Sequence, residues 1–400
     1  MFQSSKYKEA IDCFKEAIEA DPTDPIAQIF LNNARAYLRG CDCLLDRPLK
    51  VVVVVSYSQN VFHIDATQNV LKGVADAQDK FYEGNRKSGR LLEIIVADDR
   101  NQPEVSKKLA EIFSNDETIL GIIGHHSSEG TQAALSIYEQ KQLALISPSS
   151  TSSRLISRIF FRTVGSTEVV ANVYARFITE SLKLNEIVIV YHEKNEYSQT
   201  LKDDFETAFH LRGGKIIHSI SHINDLYLDS NGLIEEIRRR TKSKAVLVMS
   251  SIETNSVALA LARANSKLNP QRLQLLFSTS LPEMPTVEIG KEAVEEVVFI
   301  SPCLTENSDY TEQARQRWKQ QKLNWRVVTS HDATQALIEA IRFSKQPTRR
   351  KVLTHLEELA QTSRFGLNWS ALDCHSSPQR GYCIVQICNH RFEEIPIPDG

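Results

Sequence analysis

The feature that most constrains this 400-residue chain is a run of five consecutive valines at positions 51–55. A continuous β-branched run has no polar face, so it reads as a strand covered on both sides. Strands of that kind belong to parallel sheets with helices on both faces. The residues that follow keep switching period in agreement with this. A helix with Val70, Leu71, Val74, Ala75 and Phe81 on one side precedes a strand at 91–96. Val105, Leu109, Ile112 and Phe113 mark the next helix, followed by a strand at 119–123, a helix at 131–140 and a strand at 143–146. The order βαβαβαβ predicts a doubly wound parallel sheet.

A second series begins after Phe160-Phe-Arg-Thr163. It runs helix 169–182, strand 187–190, helix 200–211, strand 216–220, helix 233–240 and strand 245–249. A helix at 257–264 and strands at 273–277 and 294–300 continue it. Helices near 310–322, 331–345 and 350–361 and a strand-like tail at 382–387 complete the chain. Two such series exceed one sheet, and at about 150 residues per domain the length calls for two to three domains. The expected fold class is α/β, two doubly wound lobes with an N-terminal helical hairpin. The expected first lobe is 49–165 plus 302–352, and the second is 166–301 plus 353–395.

The hairpin occupies 1–45 with its linker. Tyr7, Ala10, Phe14, Ala17 and Ile18 form one stripe that ends at Asp21-Pro22. Asp24 suits an N-cap before Pro25, and Ala27, Phe30, Leu31, Ala34 and Tyr37 form a second stripe closed by Gly40. The Tyr-x-x-Ala-x-x-x-Phe-x-x-Ala helix ending in Asp-Pro resembles part of a tetratricopeptide repeat. One such unit cannot bury its face alone. The chain is therefore expected either to begin before residue 1 or to dock this hairpin on its own main domain.

Composition removes several function classes. Net charge is −3, so no global basic field draws the chain to nucleic acid. The short runs Arg238-Arg-Arg240 and Arg349-Arg-Lys351 read as solvated helix faces. The valine run is far below the ~20 residues of a membrane span, and the first residues carry no apolar signal-peptide core. Gly-x-Ser-x-Gly, Gly-x-x-x-x-Gly-Lys and Gly-x-Gly-x-x-Gly are all absent, which argues against an enzyme or a nucleotide cofactor. Adjacent His125 and His126 point opposite ways in an extended segment, so no metal site is expected there. Cys374, His375, Cys383, Cys388 and His390 invite a zinc reading, but Cys383 and Cys388 fall on opposite faces of a strand and read as buried or edge thiols. Seven cysteines, an odd number, argue against a disulfide framework and for a reducing compartment.

In open α/β sheets ligands bind beyond the carboxyl ends of the strands. Those ends carry Gly124-His-His-Ser-Ser-Glu-Gly-Thr131, Ser147-Pro-Ser-Ser-Thr-Ser-Ser153, Tyr191-His-Glu-Lys-Asn-Glu-Tyr-Ser198, Ser250-Ser-Ile-Glu-Thr254 and Ser278-Thr-Ser280. Ser127 and Ser128 open a helix whose free N–H groups suit a carboxylate, and the next loop repeats the hydroxyl chemistry. Glycine is scarce at 15 residues, so Gly124 and Gly130 flanking the first loop stand out.

Gly124-His-x-Ser-Ser-x-x-Thr131, Ile137-Tyr138-Glu139, Ile146-Ser-Pro-Ser-Ser-Thr151 and Phe161-Arg-Thr163, in that order, resemble the branched-chain amino-acid binding proteins of the type 1 periplasmic-binding-protein fold. Asp98-Asp99, Glu196-Tyr197-Ser198 before a helix and His331-Asp332-Ala333 opening one are similar to that family too. The resemblance covers 49–395. It implies a clamshell with three crossovers that closes over a small amino acid or amide without turning it over. It further implies an ABC-type importer as partner and a place outside the cytoplasmic membrane. On this likeness Ser128, Ser149 and Thr151 hold the ligand carboxylate and Tyr197 packs over the ligand, with Ser127 and Ser150 expected among the ligand-binding residues. Two positions depart from the pattern: Ile252-Glu253 replaces an aromatic, and Ser278-Thr-Ser280 replaces the acid that receives the ammonium. Glu253 or Glu283 is expected to supply that charge, with Ser280 beside it. The alternative role is a ligand-sensing module, its hairpin passing closure to a signalling partner.

Overall fold

The computed structural model describes residues 6–39, 47–57, 60–85, 89–221, 229–241, 243–268, 271–304, 308–362, 364–369 and 381–396. The chain opens with helices α1 (Tyr7–Ala20) and α2 (Pro25–Arg39). The first lobe then runs β1 (Leu49–Val55), α3 (Val61–Gly84), β2 (Leu92–Asp98), α4 (Pro103–Asn115), β3 (Ile119–Ile123), α5 (Ser128–Gln140), β4 (Leu145–Ser147) and β5 (Phe160–Arg162). The second lobe takes α6 (Thr167–Arg176), β6 (Glu186–Tyr191), α7 (Glu196–Leu211), β7 (Lys215–Ile220), α8 (Ser230–Arg240) and β8 (Ala245–Met249). It continues through α9 (Asn255–Ser266), β9 (Gln274–Phe277), α10 (Met284–Gly290) and β10 (Val298–Pro302). The chain returns to the first lobe for α11 (Asp309–Arg317), α12 (Trp325–Arg342), α13 (Arg349–Gln361) and β11 (Asn368–Trp369). It ends in the second lobe with β12 (Tyr382–Cys388) and β13 (Arg391–Ile395).

Strand order is β11-β5-β4-β3-β1-β2 in one sheet and β13-β12-β10-β9-β8-β6-β7 in the other. The valine run shows why both are doubly wound. Val51, Val53 and Val55 join the cluster built by α3, α12 and α13, while Val52 and Val54 join the cluster under α4 and α5. Strand β6 divides in the same way, Ile187 and Ile189 toward α6 and α7, Val188 and Val190 toward α9. Each sheet reverses direction at its first strand, between β1 and β3 and between β6 and β8. The crevices at those two reversals face each other.

Three expectations need correction. Helix α13 packs on β3 and β11, and β11 pairs with β5, so residues 353–369 belong to the first lobe and not the second. The final strands β11, β12 and β13 pair antiparallel, closing sheets that are otherwise parallel. Helix α12 begins at Trp325, capped by the Asn324 side chain, so His331 sits within it and not at its start. The β-branched residues Val327, Val328 and Thr329 hide those first turns from a periodicity reading.

Cysteine is corrected as well. Cys303 and Cys383 form a disulfide spanning 80 residues of sequence, so Cys383 is not a thiol. The bridge joins β12 to the residue just after β10, where the chain leaves the second lobe and later re-enters it. Cys388 keeps its thiol, and Gly40, Cys41, Cys43, Cys374 and His375 lie outside the described residues.

The hairpin docks on its own chain. Asp24 caps α2 by accepting from the Ile26 and Ala27 amides. Phe14 stacks on Phe30 and Tyr7 on Tyr37, tying α1 to one side of α2. The other side enters the first lobe, where Ile29 is fully buried, worth about 1.5–3 kcal/mol. Strand β2 is a sheet edge there, and an open edge invites pairing with other chains. Buried Asn33 closes it as a strand would: its amide donates to the Ile94 carbonyl at 2.8 Å and accepts from the Ile94 N–H at 2.9 Å. Gln78 donates to Asn33 and to the Leu92 carbonyl, and Tyr37 donates to Glu93. Asn33→Ala leaves buried backbone groups unpaired, so urea unfolding should show a loss of about 2–4 kcal/mol. A loss below 0.5 kcal/mol would deny the amide this role.

Candidate functional site: the cleft between the lobes

The loops at the strand ends enclose a cavity of about 50 Å³ between the lobes. Since one water needs roughly 10–15 Å³ on this measure, the space suits only a small ligand. The first lobe contributes His126, Ser127, Ser128, Glu129, Ser149 and Thr151. Facing them from the second lobe are Tyr197, Ser251, Ile252, Glu253, Thr279 and Ser280, with Trp325 and Arg326 from the start of α12. A larger hollow of about 950 Å³ runs along α8, by Asp229 and Arg239, and none of the site residues expected from sequence lines it.

The first loop is held by a buried carboxylate. Asp99, just past β2, accepts from the Ser56 hydroxyl at 2.6 Å, the Asn101 amide at 2.9 Å and Ser106, and meets His125 Nδ1 at 2.8 Å. Burial alone would raise its pKa, but the His125 hydrogen bond and the other donors outweigh that and hold it at about 2. His125 reaches Tyr138 with its other nitrogen, so it is a structural group, whereas the next residue, His126, turns to the cleft. Gly124 precedes them with φ +132°, and a Cβ there would lie 2.6 Å from the Val54 carbonyl oxygen. Only glycine fits.

Several contacts cross between the lobes, so the clamshell is shut. Phe62 and Ala66, on the first lobe's α3, pack within the second lobe's core. Ser152 reaches Thr200 at 3.0 Å and Ser153 reaches Asp204 at 2.9 Å, while Arg154 pairs with Asp203. Arg326 forms a buried ion pair with Glu283, which also accepts from Asn324. The guanidinium lies 4.1 Å over the Trp325 ring, and burial lowers its pKa to about 10. Glu129, second residue of α5, accepts from the Tyr197 N–H at 3.1 Å, so a first-lobe carboxylate caps a second-lobe helix. Burial first, then the nearby Glu253 charge, raise its pKa to about 7 despite those donors. His126 has its pKa held well below the ordinary value by burial, with Arg326 and His63 acting the same way.

Seven of the eight residues expected from sequence line this cavity; Ser150 does not, its hydroxyl bonding Thr131 and the His125 carbonyl instead. Ser127 caps α5 by accepting from the Gly130 N–H, and Ser149 donates to the His126 carbonyl, so both shape the loop. Ser280 donates to the Ser250 carbonyl and to Asn255. Ser128 accepts a 3.3 Å bond from the Ser152 N–H, leaving its proton to give, and Thr151 lines the same cavity. Tyr197 donates to or accepts from Thr279 at 2.8 Å. Glu253, exposed at the rim, accepts from Ser251 at 2.5 Å. Glu283 is withdrawn from the ammonium role by Arg326. Sequence reading passed over Glu129, Trp325 and Arg326. The signal for the last two was the N-cap Asn324. Among the described residues no group of three or more His, Cys, Asp or Glu side chains is placed to hold a metal.

Two doubly wound lobes closing on a small polar cavity define a clamshell binding protein. A family model described as periplasmic binding protein matches residues 54–391, so the chain belongs to that family. The match begins beyond the hairpin. The Leu/Ile/Val-binding protein of Escherichia coli is 32% identical over 178 residues, 42% of this chain and 47% of that protein. A leucine-, isoleucine-, valine-, threonine- and alanine-binding protein of Pseudomonas aeruginosa is 28% identical over 155 residues, 38% of this chain and 41% of that one. The chain thus matches just under half the length of these relatives. A leucine-binding protein from Thermotoga maritima shares the fold with a TM-score of 0.73 at 17% identity, over 87% of this chain and 98% of that one. An ABC-transporter substrate-binding protein from Desulfitobacterium hafniense, in complex with leucine, aligns with a TM-score of 0.70 at 19% identity, over 87% and 100% of the two chains.

Asp99→Ala strands His125 and three other donors, and calorimetric or urea unfolding should register a loss of about 3–5 kcal/mol. Because Asp99 is held below its ordinary 3.8, its contribution is present above about pH 4 and lost as pH falls toward 2. Glu129 behaves oppositely. Its raised pKa stabilises the closed empty protein below about pH 4.5, and that contribution is lost as pH rises through about 7. Melting temperature of the empty protein should therefore fall between pH 5 and 8, with Glu129→Gln flattening the fall; an unchanged slope would sink the assignment.

Proposed function

We propose that the chain is a non-catalytic receptor that binds a small amino acid or amide in this cleft. The observation that carries the reading is the meeting of Ser128, Thr151 and the first turn of α5, which itself carries Glu129, with Glu253 of the second lobe across a cavity of about 50 Å³. One side offers hydroxyl and amide donors at a helix N-terminus, which suits a carboxylate or a carbonyl. Glu253 opposite, together with Glu129 beside those donors, offers negative charge, which suits an ammonium or an amide N–H. A ligand carrying both groups is what the two sides have in common.

In the open form the carboxylate docks on Ser128 and Thr151. Closure then brings Tyr197 over the ligand and Glu129 onto the end of α7, excluding water by hinge motion. An ammonium between Glu129 and Glu253 relieves their repulsion and draws Glu129 to its ionised form. Ligand binding and closure thus support each other. The names of the matched relatives and the clamshell favour delivery to an ABC-type importer. The face of α2 that an interaction arm would offer is taken by the first lobe. A position outside the cytoplasmic membrane follows the family and the Cys303–Cys383 bridge, since such bridges persist in oxidising compartments. No helix among the described residues is long and apolar enough to cross a membrane.

Isothermal calorimetry with the twenty amino acids, urea and short amides tests the reading. At least one should bind, and Ser128→Ala with Thr151→Ala should weaken it by about 2–5 kcal/mol, roughly thirtyfold or more. Full affinity in the double variant, or silence of the wild type toward every probe, would overturn it.

A further inference from the structure

The cavity has a third side, made by the start of α12. Trp325 and Arg326 are each 4% exposed and His126 is 7% exposed. Trp325 Nε1, Arg326 Nε and His126 Nδ1 all lack a hydrogen-bond partner. All three side chains line the cavity. A buried donor without an acceptor is costly, so the binding of a group that supplies the acceptor is favoured. Ile252 is the one aliphatic side chain lining the cavity among the described residues. A branched aliphatic ligand would cover the orphaned donors and leave them unpaired.

Resting on the receptor reading above, we propose that the cleft selects a small ligand whose side chain ends in a carbonyl oxygen, a short carboxamide, received by Trp325 Nε1 and Arg326 Nε. The neutral carboxamide is preferred over a carboxylate because Glu283 already balances the Arg326 charge. A ligand carboxylate placed there would add an uncompensated negative charge beside Glu129 and Glu253. Trp325 and Arg326 are then specificity determinants, distinct from the hydroxyls that hold the ligand's head group.

Calorimetry with L-asparagine, L-glutamine, L-aspartate and L-leucine on the full chain decides the matter. Asparagine or glutamine should bind at least about tenfold tighter than leucine, since a site built to hydrogen-bond a polar group rejects the analogue lacking it. Leucine or aspartate as the tightest ligand would overturn the inference and leave the receptor reading standing. No binding by any of the twenty amino acids, urea or amides would overturn both. Trp325→Phe keeps the ring and removes the donor alone, so it should lose roughly three- to tenfold in carboxamide affinity at unchanged melting temperature. An unaltered carboxamide affinity would overturn the role of Trp325. Arg326→Met combined with Glu283→Met removes both charges of the buried pair together; the proposal requires it to narrow the carboxamide-over-leucine preference, and an unchanged preference overturns the role of Arg326.

Discussion

Everything in this molecule follows from strands that must be covered on both faces. Alternate valines of β1 feed two separate cores, so helices have to lie on either side of the sheet, and the connections have to cross over. That leaves the carboxyl edge as the open end of each lobe. Two lobes built alike, placed edge to edge, enclose a cleft whose walls are loops and helix N-termini. The chemistry of the cleft is therefore that of short polar loops, while the rigidity comes from the sheets beneath them.

Within the cleft, charge decides what burial tolerates. The Asp99–His125 contact and the Arg326–Glu283 pair are buried with their partners in place. Glu129 has backbone donors but no cation, and its raised pKa records the difference. The closed cleft thus holds a buried carboxyl group without a cation at Glu129. The orphaned donors of Trp325 and Arg326 are a second defect on another wall. Both are costs that a ligand supplying the missing charge and acceptor would lift.

Much of the fold was legible in the residues. The period switches located most of the strands, and the hydroxyl-rich loops pointed to the cleft because strand ends are where such sheets bind. The hairpin was legible too, through Asp24-Pro25 and two apolar stripes. What escaped was set by distance in space. By position Glu129 is an ordinary first-turn acid of α5, and its reach to α7 exists only once the lobes meet. Cys303 and Cys383 pair across 80 residues because β10 and β12 lie side by side, a neighbour relation no spacing rule contains. The first turns of α12 carried β-branched residues, which weaken the helical pattern, so Trp325 and Arg326 went unread.

Two doubly wound lobes with hydroxyl loops at their strand ends can be read from the residues, because local periodicity and turn chemistry depend on near neighbours. The packing of the lobes decided which hydroxyls face the cavity and which tie loops together. It likewise decided that Glu283 belongs to Arg326, that α13 and β11 return to the first lobe, and that Asn33 closes a sheet edge. Those outcomes rest on groups brought together from opposite ends of the chain, and pairing of that kind follows from packing, which periodicity cannot express.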